Sequence, residues 1–162
     1  LASARAVADG RRIVATGIEA ALGTTFTIDT LAALRRRFPR TRFVFVIGAD
    51  NLVQLPRWAG WARLVARTPL AVLPRPGWTR RALAGQAAKR LARHRRRPGA
   101  LLAGPRPAHA PWAFVPAAEH PASATAIRAG LATPPVAAKP RRAAAGVAVE
   151  PRWMQPGAAA AR

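Results

Sequence analysis

The sequence predicts an α/β protein built on a doubly wound parallel sheet, and three observations carry that prediction. Short apolar runs recur at Phe43–Ile47 (FVFVI), Leu70–Leu73 and Trp112–Val115, of the kind shown by strands buried on both faces. Helical patterns lie between them, and Gly- or Pro-containing turns follow the first two. Strands that alternate with helices pair in parallel and are covered on both faces. Ligands of such sheets bind outside the carboxyl ends of the strands, which directs attention to the loops there.

Taken in order, Arg12–Ala15 and Gly17–Ala21 are two short strand candidates ahead of the main pattern. Thr27–Phe38 places Ile28, Leu31, Leu34 and Phe38 at helical steps, with Thr25 or Thr27 as its cap. Arg35, Arg36 and Arg37 suit the negative end of that helix, and Pro39 stops it. Leu52 to Val65 reads as helix with a break near Pro56, and Thr79–Arg97 as a long basic helix weakened at Gly85. A last helix is expected from Ser123 or Thr125 to about Leu131. Residues 132–162 hold five prolines, alanine runs and no apolar period, so they are expected to form a disordered or weakly ordered tail.

Composition narrows the function classes. There is no cysteine, which excludes disulfide scaffolds, thiolate nucleophiles and cysteine-based zinc sites. No apolar run is long enough to span a bilayer, and the opening residues do not read as a signal peptide, so a soluble, cytoplasmic protein is expected. The chain opens on Leu1 rather than methionine, which fits a start inside a longer protein. The net charge of +21 invites a nucleic-acid reading. Yet all basic residues except Lys89 and Lys139 are arginine, in an alanine- and proline-rich chain, as a GC-rich coding sequence would produce. No zinc-finger spacing, RNP-type motif or basic zipper accompanies the charge. A solvated basic surface with weak, non-specific polyanion binding at low salt is expected, and no specific nucleic-acid partner.

Four loops hold the candidate chemistry. After FVFVI comes Gly48-Ala49-Asp50-Asn51, where Asp50 is either a helix N-cap or a carboxylate that accepts from a ribose or orients a nucleotide. Trp58 and Trp61, spaced to share a helix side, are either core cover or a stacking face for a flat, even cationic, ring. Arg75, between Pro74 and Pro76, is either one more surface arginine or a guanidinium placed for phosphate. Ser123-Ala124-Thr125-Ala126-Ile127-Arg128 is either a hydroxyl-capped helix start or a phosphate cradle.

Together, Thr24–Leu31 (TTFTIDTL), Phe43–Trp58 (FVFVIGADNLVQLPRW), Arg75-Pro76-Gly77 and Ser123–Arg128 (SATAIR) resemble the bacterial nicotinate-nucleotide adenylyltransferase family of the nucleotidyltransferase superfamily. The resemblance covers roughly Leu1 to Gly130 and implies a Rossmann-like adenylyltransferase domain, partial here, over residues 1–131. It implies transfer of AMP from ATP to nicotinate mononucleotide, with magnesium, giving deamido-NAD and pyrophosphate. Thr27 would lie beside the nicotinate end, Asp50 would contact the nucleotide, and Trp58 would stack on the pyridine ring. Gly48 and Arg75 would line the ATP side, while Ser123, Thr125 and Arg128 would hold its phosphates. A homo-oligomer is left open, as are three other readings: an adenylyltransferase for nicotinamide mononucleotide or phosphopantetheine, a basic nucleic-acid-binding protein, and an inactive fragment.

The sequence departs from the family in several places. Phe26 stands for the usual Tyr and Ala122 for an apolar Ile or Leu, and the tail lacks the family's apolar closing helix. The family's first strand and its H-x-G-H loop, which binds ATP phosphates, have no match, so no catalytic residue and no metal ligand is assigned. His94, His109 and His120 are isolated in sequence and are expected on solvated surface. Without a central first strand the sheet would expose apolar edges. The 162-residue chain is therefore expected to aggregate readily and to give no pyrophosphate above a buffer blank; release above the blank would contradict this.

Overall fold

A computed structural model describes Ala8, residues 12–103 and residues 108–119. The helix expected after Ser123, the tail at 132–162 and His120 lie outside the described residues. Contacts divide the chain into two compact units, Leu1–Thr24 with Pro134–Arg162, and Thr25–Thr133.

In the first unit the two strand candidates fail. Arg12 and Ile13 form a bend, and residues 14–17 have no regular structure. Ile13 and Val14 remain exposed, so the apolar stretch has no buried face to hold it as a strand. Gly17–Ala21 falls in a helix, α1 (Ile18–Leu22). Its end is closed by Gly23 N–H donating to Ala20 O at 3.1 Å and Thr24 N–H donating to Glu19 O at 3.0 Å, a Schellman closure that the alternation of apolar residues concealed.

The second unit carries the sheet. It runs α2 (Thr27–Arg37), β1 (Phe45–Gly48), α3 (Ala49–Gln54), a 3₁₀ turn at Leu55–Arg57, α4 (Trp61–Arg67) and β2 (Leu70–Leu73). After these come α5 (Thr79–Leu83), α6 (Gln86–Arg90), 3₁₀ turns at Ala92–His94 and Pro98–Ala100, and β3 (Trp112–Phe114). The strands lie in the order β1-β2-β3, all parallel, with Phe45 opposite Leu70, Gly48 opposite Leu73, and Leu70 opposite Trp112. This is the α/β class that the alternation of elements predicts.

Pleating divides the sheet's two faces by residue size. Phe45, Ile47, Leu70, Val72, Trp112 and Phe114 share one face, and on it pack Leu31 of α2, Leu52 of α3, Leu64 of α4 and Ala87 of α6. Val72 is 0% exposed at the centre of this core. The other face carries Ala71 and Ala113, with Leu101 against them, and Val46 on it is 55% exposed. The expectation that FVFVI is buried on both faces is thus corrected. Small side chains on β2 and β3 leave little for a second layer to grip, and among the described residues β1 pairs only with β2. Phe43 and Val44 also precede the strand rather than belonging to it.

Three local details differ from expectation. The cap of α2 is Phe26, with no side-chain cap bond, so neither Thr25 nor Thr27 serves. Instead the Phe26 carbonyl accepts from the Asp29 and Thr30 N–H groups and from the Thr30 hydroxyl at 3.3 Å. The long helix over Thr79–Arg97 is two short ones, because Gly85 adopts an extended conformation as the cap of α6. The chain turns again at Leu91, whose carbonyl accepts the buried indole N–H of Trp112 at 2.8 Å. That bond satisfies the one polar atom of a side chain only 2% exposed and ties the helical segment to β3.

The two ends of α2 are joined to α4. Arg35 Nη1 donates to the buried Thr68 Oγ1 at 2.6 Å and to Arg67 O at 3.0 Å, just past the end of α4. At the other end Gly60, the cap of α4, has φ of 65°, and a Cβ there would lie 2.8 Å from Ile28 Cδ1. Gly60→Ala therefore meets both a left-handed backbone and a collision. It is expected to destabilise the fold by about 1–2 kcal/mol, read as a lower midpoint in urea unfolding. An unchanged midpoint would show that α2 and α4 are not held in this approach.

Candidate functional site

The carboxyl ends of β1 and β2 are level, since Gly48 is opposite Leu73, so the loops that follow them emerge side by side. Between them and residues 117 and 118 beyond β3 lies an open cleft of about 420 Å³. Val46, Ile47 and Leu73 supply apolar lining, while Gly48, Asn51 and Arg75 supply its polar part.

Gly48 is the N-cap of α3 in extended conformation, and Asp50 is the second residue of the helix. The reading of Asp50 as an N-cap is therefore excluded. Among the described residues its buried Oδ1 has no hydrogen-bond partner, and Arg75 Nε lies 3.8 Å from it. That separation is too long for a hydrogen bond but close enough for attraction between charges. Both side chains remain partly open to solvent, 33% for Asp50 and 45% for Arg75, so the pair is weak and can be opened by a competing ligand. The absence of a side chain at Gly48 permits this approach. A Cβ there would collide with Asp50 Oδ1 and lie 3.0 Å from Arg75 Nε.

Arg75 is presented by a turn. Its carbonyl accepts from Trp78 N–H at 3.0 Å, with Pro76 and Gly77 between, and Gly77 has φ of 75°. Proline then glycine at the centre of a four-residue turn is the pattern of type II. Its backbone N–H donates to Thr79 Oγ1 at 3.2 Å, and that hydroxyl donates to Glu119 Oε1 at 2.7 Å. Sequence reasoning passed over Asn51, Thr79 and Glu119. Their only signal is position after a strand, and the Thr79–Glu119 contact joins residues 40 apart.

Trp58 is not among the side chains that line this cleft. It packs edge-on to Phe45 with ring centroids 6.3 Å apart and leans on the main core. Trp61 does not share a helix with it. Trp58 ends the 3₁₀ turn and Trp61 begins α4, with the Arg90 guanidinium 5.3 Å from the Trp61 ring. Thr27 is the first residue of α2, and its neighbour Ile28 lies against Gly60, two residues beyond Trp58. The structure thus brings Gly48, Asp50 and Arg75 together, and separately brings the start of α2 to the Trp58 turn. Ser123, Thr125 and Arg128 lie outside the described residues.

His94 and His109, far apart in sequence, stack with centroids 5.0 Å apart and so are not isolated in space. Among the described residues no group of three His, Asp or Glu converges as a metal site. A second cleft, of about 300 Å³, lies at the opposite ends of the strands beside Phe43, Pro69 and Ala110, and Arg35, Arg42 and Arg67 line it. No helix among the described residues is long and apolar enough to cross a membrane.

Comparison with curated proteins decides the family. A protein of Gluconobacter oxydans named "Probable nicotinate-nucleotide adenylyltransferase" is 52% identical over 130 residues, covering 79% of this chain and 66% of the relative. Another so named, from Gluconacetobacter diazotrophicus, is 52% identical over 131 residues, covering 80% and 60%. A third, from Cereibacter sphaeroides, is 46% identical over 129 residues, covering 80% and 68%. This chain belongs to the nicotinate-nucleotide adenylyltransferase family. No family model matches the chain. The alignments span 66% and 60% of the first two relatives. Within the adenylyltransferase family, then, this chain presents a sheet-end cleft lined by Gly48 and Arg75, with the Asp50 carboxylate beside that guanidinium.

The packing of Trp58 makes its structural reading testable. If the ring is structural cover, Trp58→Ala loses burial against Phe45 and is expected to cost about 2 kcal/mol, below the range for a fully buried ring, while Trp58→Phe retains most of it. Denaturant midpoints of the two variants check this; an unchanged Trp58→Ala midpoint would leave the ring without a structural role.

Proposed function

We propose that this chain forms the nucleotide-binding part of an enzyme that transfers AMP from ATP to nicotinate mononucleotide in NAD biosynthesis. The observation that supports this most is the approach of Asp50 to Arg75 over Gly48 at the strand ends, in a chain of this family. A phosphate oxygen of nicotinate mononucleotide attacks the α-phosphorus of ATP. The bond from that phosphorus to the bridging oxygen breaks, and the electron pair leaves with pyrophosphate, giving deamido-NAD.

Each residue has a part in this reading. Arg75 offsets phosphate charge on the ATP side, where Gly48 leaves room for the nucleotide to approach the backbone. Asp50, whose side chain is partly open to solvent beside Arg75, accepts from a ribose hydroxyl. Backbone N–H groups at the start of α2, beside Thr27, read the nicotinate carboxylate. Trp58 offers the exposed part of its ring to the pyridinium, a role that packing on Phe45 leaves open because the side chain is only partly buried. Ser123, Thr125 and Arg128 hold the ATP phosphates. Magnesium fits as an ion carried mainly by the phosphates of ATP and water, since no group of three acidic residues or histidines converges among the described residues, and it would neutralise phosphate charge when bound. A cytoplasmic location accompanies this role.

Calorimetric titration with magnesium–ATP, nicotinate mononucleotide and nicotinamide mononucleotide tests the reading. The nicotinate form is expected to bind at least about tenfold more tightly than the nicotinamide form. Gly48→Ala, which has an unstrained φ of −79°, is expected to weaken ATP about tenfold with little change in unfolding midpoint. No nucleotide binding, together with duplex DNA binding that falls steeply with salt, would contradict it.

A further inference from the structure

Two of the chain's six acidic residues act on the same arginine. Asp50 meets the side chain of Arg75, and Glu119 reaches its backbone through Thr79. The Thr79 hydroxyl lies 2.7 Å from Glu119 Oε1, 3.2 Å from Arg75 N and 3.3 Å from Arg75 O. A hydroxyl has one proton to donate and two lone pairs to accept with. The shortest contact, to an ionised carboxylate, takes the proton. Thr79 then donates to Glu119 and accepts from the Arg75 N–H, so one arrangement serves both partners.

This hydroxyl connects the loops of neighbouring strands. Arg75 follows β2, Glu119 follows β3, and Thr79 is the first residue of α5. The Arg75 carbonyl is already held by Trp78 N–H, so both backbone polar groups of Arg75 are fixed. Ala117 and Ala118, just before Glu119, line the same cleft as Arg75. The bonds are exposed to water and contribute little to global stability, so their consequence is local.

We propose that Thr79 and Glu119 are positioning residues that hold the Arg75 turn and the wall beyond β3 in register, setting the guanidinium at the cleft mouth for the phosphate-bearing ligand. The identity of that ligand as ATP rests on the function proposed above; the latch itself does not.

The test compares Thr79→Val, which removes the hydroxyl at nearly constant shape, with Thr79→Ser, which retains it, and with Glu119→Gln. Amide hydrogen exchange at Arg75 reads the latch without ligand, and titration with magnesium–ATP and nicotinate mononucleotide reads its consequence. Thr79→Val is expected to speed Arg75 exchange and weaken ATP by about fivefold to tenfold, the loss of roughly one hydrogen bond. Thr79→Ser restores both, Glu119→Gln falls between, and nicotinate mononucleotide affinity and the unfolding midpoint stay unchanged. Arg75 exchange that is the same in Thr79→Val as in the parent overturns the proposal. So does faster exchange with undiminished ATP affinity when Arg75→Ala abolishes that affinity. A parent chain that binds no ATP defeats the functional reading instead, and Arg75 exchange in the Thr79 variants then decides the latch.

Discussion

The parallel register of β1 on β2 is the constraint on which the site depends. With Gly48 opposite Leu73, the two strands end level, and the start of α3 carrying Asp50 and the turn carrying Arg75 leave the sheet together. A slip of one residue would reverse the pleat and send Ile47 and Phe45 to the poorly covered face. The register is held from one side. Large residues of β1, β2 and β3 meet the helices there, and the indole of Trp112 is bonded to Leu91. Core packing and site geometry are therefore consequences of one alignment.

Electrostatics explains why Arg75 differs from the chain's many other arginines. With a net charge of +21, a guanidinium is the commonest surface feature and by itself distinguishes nothing. Arg35 is held too, at the other end of the sheet, but Arg75 is restrained at the strand ends that bear the site. Its turn is fixed by Pro76 and Gly77, its backbone by Thr79 and Trp78, and its side chain faces Asp50. A cation so restrained loses less freedom when it binds an anion than one free to rotate. Arg81 and Arg95, by contrast, lie over the rings of Trp78 and Trp112, where they cover apolar surface.

Much of this was legible in the sequence, and the failures have physical causes. β2 follows directly from its apolar run, since Leu70, Ala71 and Val72 are buried on the two faces of the sheet, and α2 from its helical stripe, since one face of that helix packs on the core. Arg12–Ala15 and Gly17–Ala21 resist reading because stretches of four or five residues with only three apolar side chains, large or small, fit several structures. Gly85 signalled the break in the long basic helix, but the second turn at Leu91 depends on a bond from Trp112, 21 residues away. The cleft residues Gly48 and Arg75, and Asp50 beside them, could be found from strand ends alone. Thr79 and Glu119 could not, since their contact exists only after β2 and β3 pair. Trp58 carried two readings in the sequence, and its contact with Phe45 gives the structural one a basis without removing the other.

On the proposed function, the carboxyl ends of β1 and β2, rather than the arginine-lined cleft at their other ends, receive the nucleotide. Amide chemical shifts of the chain titrated with deamido-NAD, which contains both nucleotide halves, test it directly. Shifts are expected to concentrate at Gly48, Asn51, Leu73, Arg75 and Ala118, with Arg42, Arg67 and Leu102 unmoved. Shifts confined to Arg42, Arg67 and Leu102 would place the nucleotide at the wrong end of the sheet and contradict it.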